Sequence, residues 1–235
     1  SGAGRLGHGR CRSLHHRSHL MSFGLARGRT LDTGGIGIES RDLPPYDDGR
    51  IDPRLWFDNP SQPLEMEVGT GKGTFLLREA ADRPDVNFLG IEWAGEFYRY
   101  AADRLRRHDC SNTRILRDDA TEFLQFRCDD AVAQVIHLYF SDPWPKKRHH
   151  KRRVVQDETM RQFHRILTDG GELRLVTDHD DLWTWCEEHM ERSADLFHRV
   201  AFTAPDGGEL VGTNFERKYR REGRPFHAAT LVKIS

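Results

Sequence analysis

The sequence predicts an α/β fold with a doubly wound, mostly parallel sheet of seven strands that ends in an antiparallel pair. Three observations lead to this prediction. Short apolar runs typical of strands alternate with segments of helical periodicity along most of the chain. A glycine loop joins the first of these runs to a helical segment. The last two apolar runs have only a long polar stretch between them, which favours antiparallel pairing at one edge of the sheet.

The predicted strands follow one another at regular intervals. In chain order they are Leu64–Val68, Val86–Ile91, Thr113–Leu116, Ala131–Phe140, Glu172–Thr177, His198–Thr203 and Phe226–Ile234. The fourth run is apolar at most positions, as strands buried on both faces are.

Apolar residues at helical spacing fill the intervals between the first strands. Phe97, Ala101 and Leu105 recur four residues apart, which predicts one helix and its core-facing side. Asp118-Asp119-Ala120 is typical of a helix start, because acidic side chains suit the positive end of the helix dipole. Another stripe contains Met160, Phe163, Ile166 and Leu167 and ends before Gly170-Gly171.

Length and charge indicate one domain preceded by an arm. A chain of 235 residues with 37% hydrophobic content is long enough for one buried α/β core. We expect residues 1–50 to form a flexible Arg/Gly-rich arm and residues 51–235 to form the domain. The composition of residues 1–20 favours an expression scar or an upstream mis-start over a transit peptide, because glycines interrupt any amphipathic helix there. Met21 is then the expected start.

The net charge divides unevenly along the chain. Residues 1–30 hold six Arg and no acid, so the remaining 30 cations and 37 acids give residues 31–235 a charge of −7. An acidic body binds a polyanion only through a focused basic patch. The four cysteines form no CxxC pair, which argues against a zinc finger or a disulfide framework and favours a reducing compartment. We expect a cytoplasmic protein with no metal and no membrane span.

A glycine loop and an acidic residue indicate a nucleotide-like ligand. Gly69-Thr70-Gly71-Lys72-Gly73 follows the first predicted strand, and glycines allow a tight turn and close approach of a ligand to the backbone. Thr74 stands where the dinucleotide fingerprint has a third small residue, which disfavours NAD. Glu92 ends the next strand, where a carboxylate can accept hydrogen bonds from a ribose diol.

One segment joins a carboxylate, a tryptophan and a dense positive charge. Asp142-Pro143-Trp144-Pro145 directly precedes Lys146–Arg153, which we call the basic segment. Ligands of open α/β sheets bind beyond the carboxyl ends of the strands, so Asp142 is well placed for chemistry. Taken alone, the segment fits equally well a turn followed by a solvated run of charge.

Four separated segments together resemble the tRNA (guanine-N7-)-methyltransferase family, whose members use S-adenosylmethionine. They are Glu67–Gly73, Gly90–Glu92, Asp142–Lys146 with Lys151–Arg153, and Thr213–Glu216 preceded by Thr177-Asp178. The first two occur in many methyltransferases, whereas the last two are specific to the family. The resemblance covers residues 52–235 and implies a Rossmann-like fold. Ser141 departs from the proline of many relatives, which affects turn stiffness more than chemistry.

The resemblance implies roles for individual residues. Asp142 is the implied catalytic residue. The implied cofactor-binding residues are Glu67, Gly69, Gly71, Gly73, Glu92, Asp119 and Asp142. The implied substrate-binding residues are Lys146, Asp178, Thr213, Asn214, Phe215 and Glu216. We expect Lys147, Arg148, Lys151, Arg152 and Arg153 to contact RNA phosphates. The implied target is N7 of the guanosine at position 46 of the tRNA variable loop, and the protein is expected to act as a monomer or homodimer.

Several of these residues have a plainer interpretation. Asp119 also suits a helix start, and Asp178 also suits an N-cap for the helix that contains Leu182 and Trp185. Trp144, between two prolines, favours packing over stacking on a base. His149 and His150 fit the phosphate-facing run better than they fit catalytic bases, because no carboxylate pairs with them in the sequence.

Two other functions remain open at this stage. The first is an enzyme of the same fold that methylates a different RNA guanine or a small molecule, although the two family-specific segments weigh against it. A non-catalytic RNA-binding subunit is the alternative from another class. Glu67, Glu92, Asp119 and Asp142 in one chain argue against the loss of catalysis.

Overall fold

The structure, a computed structural model, describes residues 30–203, 211, 213–223 and 225–235. Its centre is one eight-stranded sheet. The strands are β1 (Gly37–Glu39), β2 (Leu64–Val68), β3 (Asn87–Ile91), β4 (Thr113–Arg117), β5 (Ala133–Tyr139), β6 (Leu167–Thr177), β7 (Phe197–Val200) and β8 (His227–Lys233).

The strand order is β1-β4-β3-β2-β5-β6-β8-β7, and all neighbours from β1 to β6 run parallel. β8 pairs antiparallel with both β6 and β7. The predicted doubly wound sheet with an antiparallel C-terminal pair is therefore confirmed. The direction of winding reverses between β2 and β5, and this switch point is where open α/β sheets bind ligands.

Helices cover both faces of the sheet. They are α1 (Thr74–Asp82), α2 (Gly95–Arg107), α3 (Ala120–Glu122), α4 (Asp157–Ile166), α5 (Asp180–Arg192) and α6 (Asn214–Arg221). A π-helical turn, Phe123–Arg127, continues α3. Apolar residues of α1 and α2 pack in one core cluster, and those of α3, α4 and α5 pack in another, so the sheet separates two cores.

The eighth strand comes from the segment that the sequence analysis assigned to an arm. β1 pairs with β4 in parallel, with Gly37 opposite Ile115. A Cβ atom at Gly37 would lie 2.5 Å from Tyr98 Oη, so only glycine lets this strand approach α2 so closely. The strand count of seven was therefore one too low. Residues 1–29, the larger part of the predicted arm, lie outside the described residues.

Two local predictions are wrong. The polar stretch before β8 was expected to contain no helix, but α6 lies there. In α2, Phe97 is partly exposed and Tyr98 is buried in its place, because the helix turns its core-facing side by one residue. Ala101 and Leu105 are buried as expected. In the described part of the chain, no helix combines the length and the apolar character needed to cross a membrane.

Candidate active site

The glycine loop follows β2 at the switch point of the sheet. Gly69, Gly71 and Gly73 all have positive φ angles, of 81°, 55° and 65°. A left-handed backbone is costly for residues with a side chain, so glycine is required at each position. A Cβ atom at Gly69 or Gly71 would meet nothing within 4 Å, which leaves open space in front of the backbone. The loop thus offers its main chain to a ligand.

Glu67, the penultimate residue of β2, has a buried carboxyl group that lacks a full set of hydrogen-bond partners. Glu67 is 4% exposed, and its Oε2 has no hydrogen-bond partner. Burial, together with the nearby charge of Glu92, raises the pKa of Glu67 well above its usual range. An unsatisfied buried carboxyl group beside a glycine loop is suited to a cationic ligand, which would stabilise its ionised form.

Glu92 follows β3 and faces the same loop. Its Oε2 accepts a hydrogen bond from the Gly71 N–H at 2.7 Å, and its Oε1 accepts one from the Ala94 N–H at 2.8 Å. Burial raises the pKa of Glu92 despite these two donors, and the charge of Asp142 adds to the rise. The carboxylate therefore braces the glycine loop from the neighbouring strand.

The three strand-end acids form one electrostatic group. Asp142 is exposed and lies just beyond β5, Glu92 directly follows β3, and Glu67 is the penultimate residue of β2. Burial is the main cause of the raised pKa values of Glu92 and Glu67. The charge of Asp142 adds to the rise at Glu92, and the charge of Glu92 adds to the rise at Glu67. The sequence prediction that these residues share a site agrees with this arrangement. Such a concentration of negative charge favours a ligand with positive charge.

Asp119 caps the start of α3. Its Oδ1 accepts hydrogen bonds from the Thr121 N–H at 2.8 Å and the Glu122 N–H at 3.3 Å. The plainer interpretation of Asp119 as a helix-start residue is thus confirmed. The preceding residue, Asp118, is buried, and its Oδ2 has no hydrogen-bond partner. Asp118 is a candidate ligand contact that the sequence analysis missed, although its place at the end of β4 was a usable signal.

Asp178 lies between β6 and α5, but it does not cap the helix. The N-cap is His179, whose Nδ1 accepts a hydrogen bond from the Leu182 N–H at 3.3 Å. The N-cap interpretation of Asp178 is therefore wrong. Its half-buried position at the carboxyl end of β6 is the one expected for a substrate contact.

The basic segment forms a short 3-10 helix, Lys147–Arg152, beside the carboxylates. The cations that face solvent are Lys146, Lys147, Arg148, Lys151 and Arg152. Trp144 supports them: the Arg152 guanidinium lies 4.9 Å from the centre of its ring, and His149 makes an edge contact at 5.8 Å. This arrangement agrees with the packing role expected for Trp144. The five exposed cations present a positive surface next to Asp142.

Arg153 differs from the rest of the basic segment. It is 2% exposed, its Nε donates a hydrogen bond to the Pro143 carbonyl at 2.9 Å, and its Nη2 forms an ion pair with Asp181. This burial contradicts the expected contact with an RNA phosphate. No sequence pattern distinguishes the two residues, because Arg152 and Arg153 are identical neighbours in a run of charge.

Thr213 and Glu216 form hydrogen bonds inside their own segment. Thr213 Oγ1 accepts a hydrogen bond from the Glu216 N–H at 3.0 Å, and Glu216 Oε2 accepts one from the Val211 N–H at 2.8 Å. Glu216 is fully buried and also pairs with Arg220 at 2.7 Å. The segment is thus a helix-capping arrangement at the start of α6. The side chains of Asn214 and Phe215 lie outside the described residues.

The start of α6 lies near the glycine loop. Arg78 of α1 donates a hydrogen bond to the Val211 carbonyl at 2.9 Å. Arg104 of α2 donates a hydrogen bond to the Lys72 carbonyl at 3.2 Å. Burial lowers the pKa of Arg104, and the nearby positive charge of Arg217 in α6 contributes to the shift. The structure therefore brings the Thr213–Glu216 segment to the same end of the sheet as the cofactor-loop residues.

Sequence relatives decide the family. A family described as "Putative methyltransferase" matches residues 61–229. A tRNA (guanine-N(7)-)-methyltransferase of Nitrobacter hamburgensis is 35% identical over 86% of this chain and 82% of its own length. One from Rhodopirellula baltica is 36% identical over 79% of this chain and 71% of its own. This chain belongs to the tRNA (guanine-N(7)-)-methyltransferase family.

Solved structures agree with this assignment at the level of the fold. A 30S ribosomal methyltransferase from an uncultured bacterium superposes with a TM-score of 0.53 at 15% identity, over 73% of this chain and 88% of its own. An aminoglycoside resistance methyltransferase gives a TM-score of 0.52 at 19% identity, over 73% and 87% of the two chains. At these identities the likeness extends only to the methyltransferase fold.

The site fits S-adenosylmethionine, the cofactor that the family resemblance implies. The open backbone of the glycine loop suits a ligand that approaches the main chain, and the unpaired Glu67 Oε2 suits a cationic group. Trp93, which follows Glu92 in the chain, is a large aromatic side chain that is 72% exposed. The sequence analysis missed Trp93, although its place after a strand-end acid was visible. Among the described residues, no cluster of His, Cys, Asp and Glu is arranged to bind a metal ion.

Proposed function

We propose that this protein transfers the methyl group of S-adenosylmethionine to N7 of a guanosine in tRNA, at position 46 of the variable loop. The observation that carries the proposal is the position of Asp142. It lies between the acidic, glycine-lined end of β2 and β3 on one side and the exposed cations of the basic segment on the other. A cationic cofactor and a polyanionic substrate would meet at this carboxylate.

The chemistry requires alignment more than a strong base. When bound, S-adenosylmethionine supplies an electrophilic methyl group on a sulfonium. Guanine N7 already exposes a lone pair and carries no proton, so no side chain has to remove one before attack. The methylated base acquires a positive charge. The Asp142 carboxylate would accept hydrogen bonds from the N–H edge of guanine and stabilise that charge as it develops.

Substrate selection follows from the same groups. Guanine presents N1–H and a 2-amino group, whereas adenine lacks this pair of donors, so the acceptor oxygens of Asp142 and Asp178 favour guanine. Lys146 would meet a phosphate or the O6 acceptor, and the exposed cations Lys147, Arg148, Lys151 and Arg152 would contact phosphates. The Thr213–Glu216 segment would border the guanine site, with Thr213 and Glu216 holding its shape.

Replacement of one atom in the substrate tests this proposal. A tRNA with 7-deazaguanosine at position 46 keeps the Watson–Crick edge, the stacking surface and the phosphates, but it has no N7 lone pair. We expect unchanged tRNA affinity and no transfer of labelled methyl groups at that nucleotide. A tRNA with 7-deazaguanosine at another position is the matched control and should be methylated normally. Methylation of the 7-deaza nucleotide at position 46 would show that another atom accepts the methyl group.

A further inference from the structure

Arg153 is a buried cation in the midst of exposed ones. Its side chain is 1% exposed, whereas Arg152, directly before it, faces solvent. Burial of a guanidinium is unfavourable unless specific partners replace the lost water. Arg153 has three such partners: the Pro143 carbonyl, the Asp181 carboxylate and the ring of Trp185, whose centre lies 5.2 Å from Cζ.

These partners belong to two different segments of the active site. Pro143 directly follows Asp142, beyond β5. Asp181 lies in the first turn of α5, three residues after Asp178, beyond β6. A single guanidinium therefore joins the two strand-end segments that carry acids of the substrate site. The planar fork of arginine can bond in two directions at once, which a lysine ammonium does with less geometric control.

The segment that carries Asp142 needs such an external restraint. Phe140 and Trp144, on either side of it, have φ angles of 52° and 42°. Left-handed backbone is uncommon for residues with large side chains, and it persists where the surroundings impose it. The hydrogen bond from Arg153 to the Pro143 carbonyl acts on the residue between Asp142 and Trp144.

We propose that Arg153 is a positioning residue, which holds the Asp142 segment against the start of α5 and does not contact RNA. This inference rests on the proposed methyl transfer. Removal of the restraint should lower kcat, because small displacements of a group that stabilises the transition state reduce the rate steeply. It should leave the phosphate contacts unchanged.

Two substitutions separate positioning from RNA contact. Arg153→Met should lower kcat on the order of tenfold to a hundredfold. Its tRNA affinity and the slope of log Kd against log salt should stay as in the wild type. Arg152→Met, the exposed neighbour, should weaken tRNA binding and reduce that slope by about one. Arg153→Lys should rescue kcat poorly, since the ammonium lacks the fork. If Arg153→Met reduces the salt slope and leaves kcat unchanged, Arg153 is a phosphate contact and the inference is wrong.

Asp181 provides a variant with an electrostatic effect of opposite sign. Its side chain is 58% exposed, so Asp181→Asn should fold. Loss of this negative charge should strengthen tRNA binding or leave it unchanged. The inference nevertheless requires kcat to fall. Unchanged kcat in Asp181→Asn would count against the inference.

Hydrogen–deuterium exchange makes the test independent of activity. Exchange of residues 140–146 should speed up in Arg153→Met and Asp181→Asn and stay unchanged in Lys151→Met, which changes an exposed cation of the same 3-10 helix. If wild-type protein methylates no tRNA, the proposed function fails while this exchange pattern still tests the restraint. Equal exchange in all variants would overturn the inference even if the enzyme is active.

Discussion

Glu67 illustrates how one side chain can link ligand binding to protonation. Its carboxyl group is almost completely buried, and burial followed by the charge of Glu92 raises its pKa well above the usual range. The ligand-free protein therefore holds a proton there at a pH where an exposed glutamate is ionised. A cationic cofactor next to the group would favour the carboxylate and lower that pKa again.

Binding of S-adenosylmethionine should consequently release a proton from Glu67. Because the free group keeps its proton below its raised pKa, affinity should increase as the pH rises toward that pKa. Calorimetry in phosphate and in Tris, which differ in ionisation enthalpy, measures the number of protons released. We expect up to about one proton for the wild type, in proportion to the protonated fraction of this single group.

Glu67→Gln should bind the cofactor with no such proton release. Glu191→Gln, which changes an exposed glutamate of α5, is the matched control and should behave as the wild type. Equal heats in the two buffers for wild-type protein would mean that Glu67 keeps the same protonation state when the cofactor binds, which contradicts the prediction.

The placement of single residues shows what the sequence could and could not predict about the site. Glu92 was found because it ends a predicted strand close to the glycine loop, and the carboxyl ends of neighbouring parallel strands meet at one edge, whereas Glu67 was named through the family resemblance. Arg152 and Arg153 could not be told apart, since burial depends on where Asp181 and Pro143 lie in space. Asp118 and Asp119 could not be told apart for the same reason, because they are adjacent identical residues whose burial depends on the fold.

Helix α6 shows a similar limit among the secondary-structure elements. Its sequence is dominated by charged residues and lacks the apolar stripe by which helices are usually recognised. The spacing of Thr213 and Glu216 nevertheless matches the capping-box pattern, and the structure has the corresponding hydrogen bond from the Glu216 N–H to Thr213 Oγ1. The family resemblance implies a substrate contact for Thr213 and Glu216, and the helix-capping role of their spacing was not predicted.

The capping role of Thr213 gives a prediction for α6. Thr213→Ala removes the acceptor for the Glu216 N–H, and loss of an N-terminal cap typically costs about 1 kcal/mol of helix stability. We expect faster hydrogen–deuterium exchange in Asn214–Arg221 and reduced methylation of tRNA. Thr213→Ser keeps the hydroxyl group and should restore both. If Thr213→Ala lowers methylation while exchange in α6 is unchanged, the hydroxyl acts on the substrate and not on the helix.

The strands were predicted more successfully than the helices for a physical reason. β2, β3 and β5 lie inside the sheet, so nearly every position in them is buried and more than half of their residues are apolar, which marks these strands in the sequence. β1 has three residues, one of which is Gly37, and no buried position, so it exists only because β4 offers an edge. Such a strand forms only by pairing with a strand that is distant in sequence, and local sequence patterns carry no information about that pairing.

At the scale of the whole molecule, the sheet also buries polar groups away from the active site. Glu65 of β2 and His137 of β5 lie on adjacent strands, two positions apart in register, with 2.8 Å between His137 Nε2 and Glu65 Oε2. Tyr139 Oη lies 2.7 Å from His137 Nδ1. Arg83 forms two hydrogen bonds to the Glu65 carboxylate, at 2.6 and 2.8 Å. This cluster links two central strands with the end of α1.

The protonation states in the cluster follow from burial and hydrogen bonding. Burial lowers the pKa of His137, although the Glu65 carboxylate opposes the shift, so the imidazole is neutral. Burial alone would raise the pKa of Glu65, but hydrogen bonds from His137 and Arg83 outweigh it and lower the pKa to about 2. A neutral His137 satisfies both neighbours, since Nε2–H donates to Glu65 and Nδ1 accepts from the Tyr139 hydroxyl.

The cluster predicts that mild acid destabilises the protein. In the unfolded chain His137 takes up a proton below its ordinary pKa of about 6.5, whereas the folded protein resists protonation until a lower pH. Its contribution to stability is therefore complete above pH 6.5 and declines as the pH falls toward the lowered pKa. The decline is at most about 1.4 kcal/mol per pH unit for one proton. Glu65 adds nothing to the slope in this window, since its stabilisation is lost only below about pH 4.5.

Urea unfolding between pH 7.5 and pH 5.5 measures this effect when the wild type is compared with His137→Gln. Glutamine offers both a donor for Glu65 and an acceptor for Tyr139, but it does not titrate. Burial also lowers the pKa of His108 and His189, so a slope should remain in the variant. The free energy of unfolding of the wild type should therefore fall more steeply with decreasing pH than that of His137→Gln, so that the difference between them narrows. Parallel pH profiles would show that folding leaves the pKa of His137 unchanged. A wild-type profile that falls less steeply than that of His137→Gln would show that His137 is protonated in the folded protein, paired as a cation with Glu65.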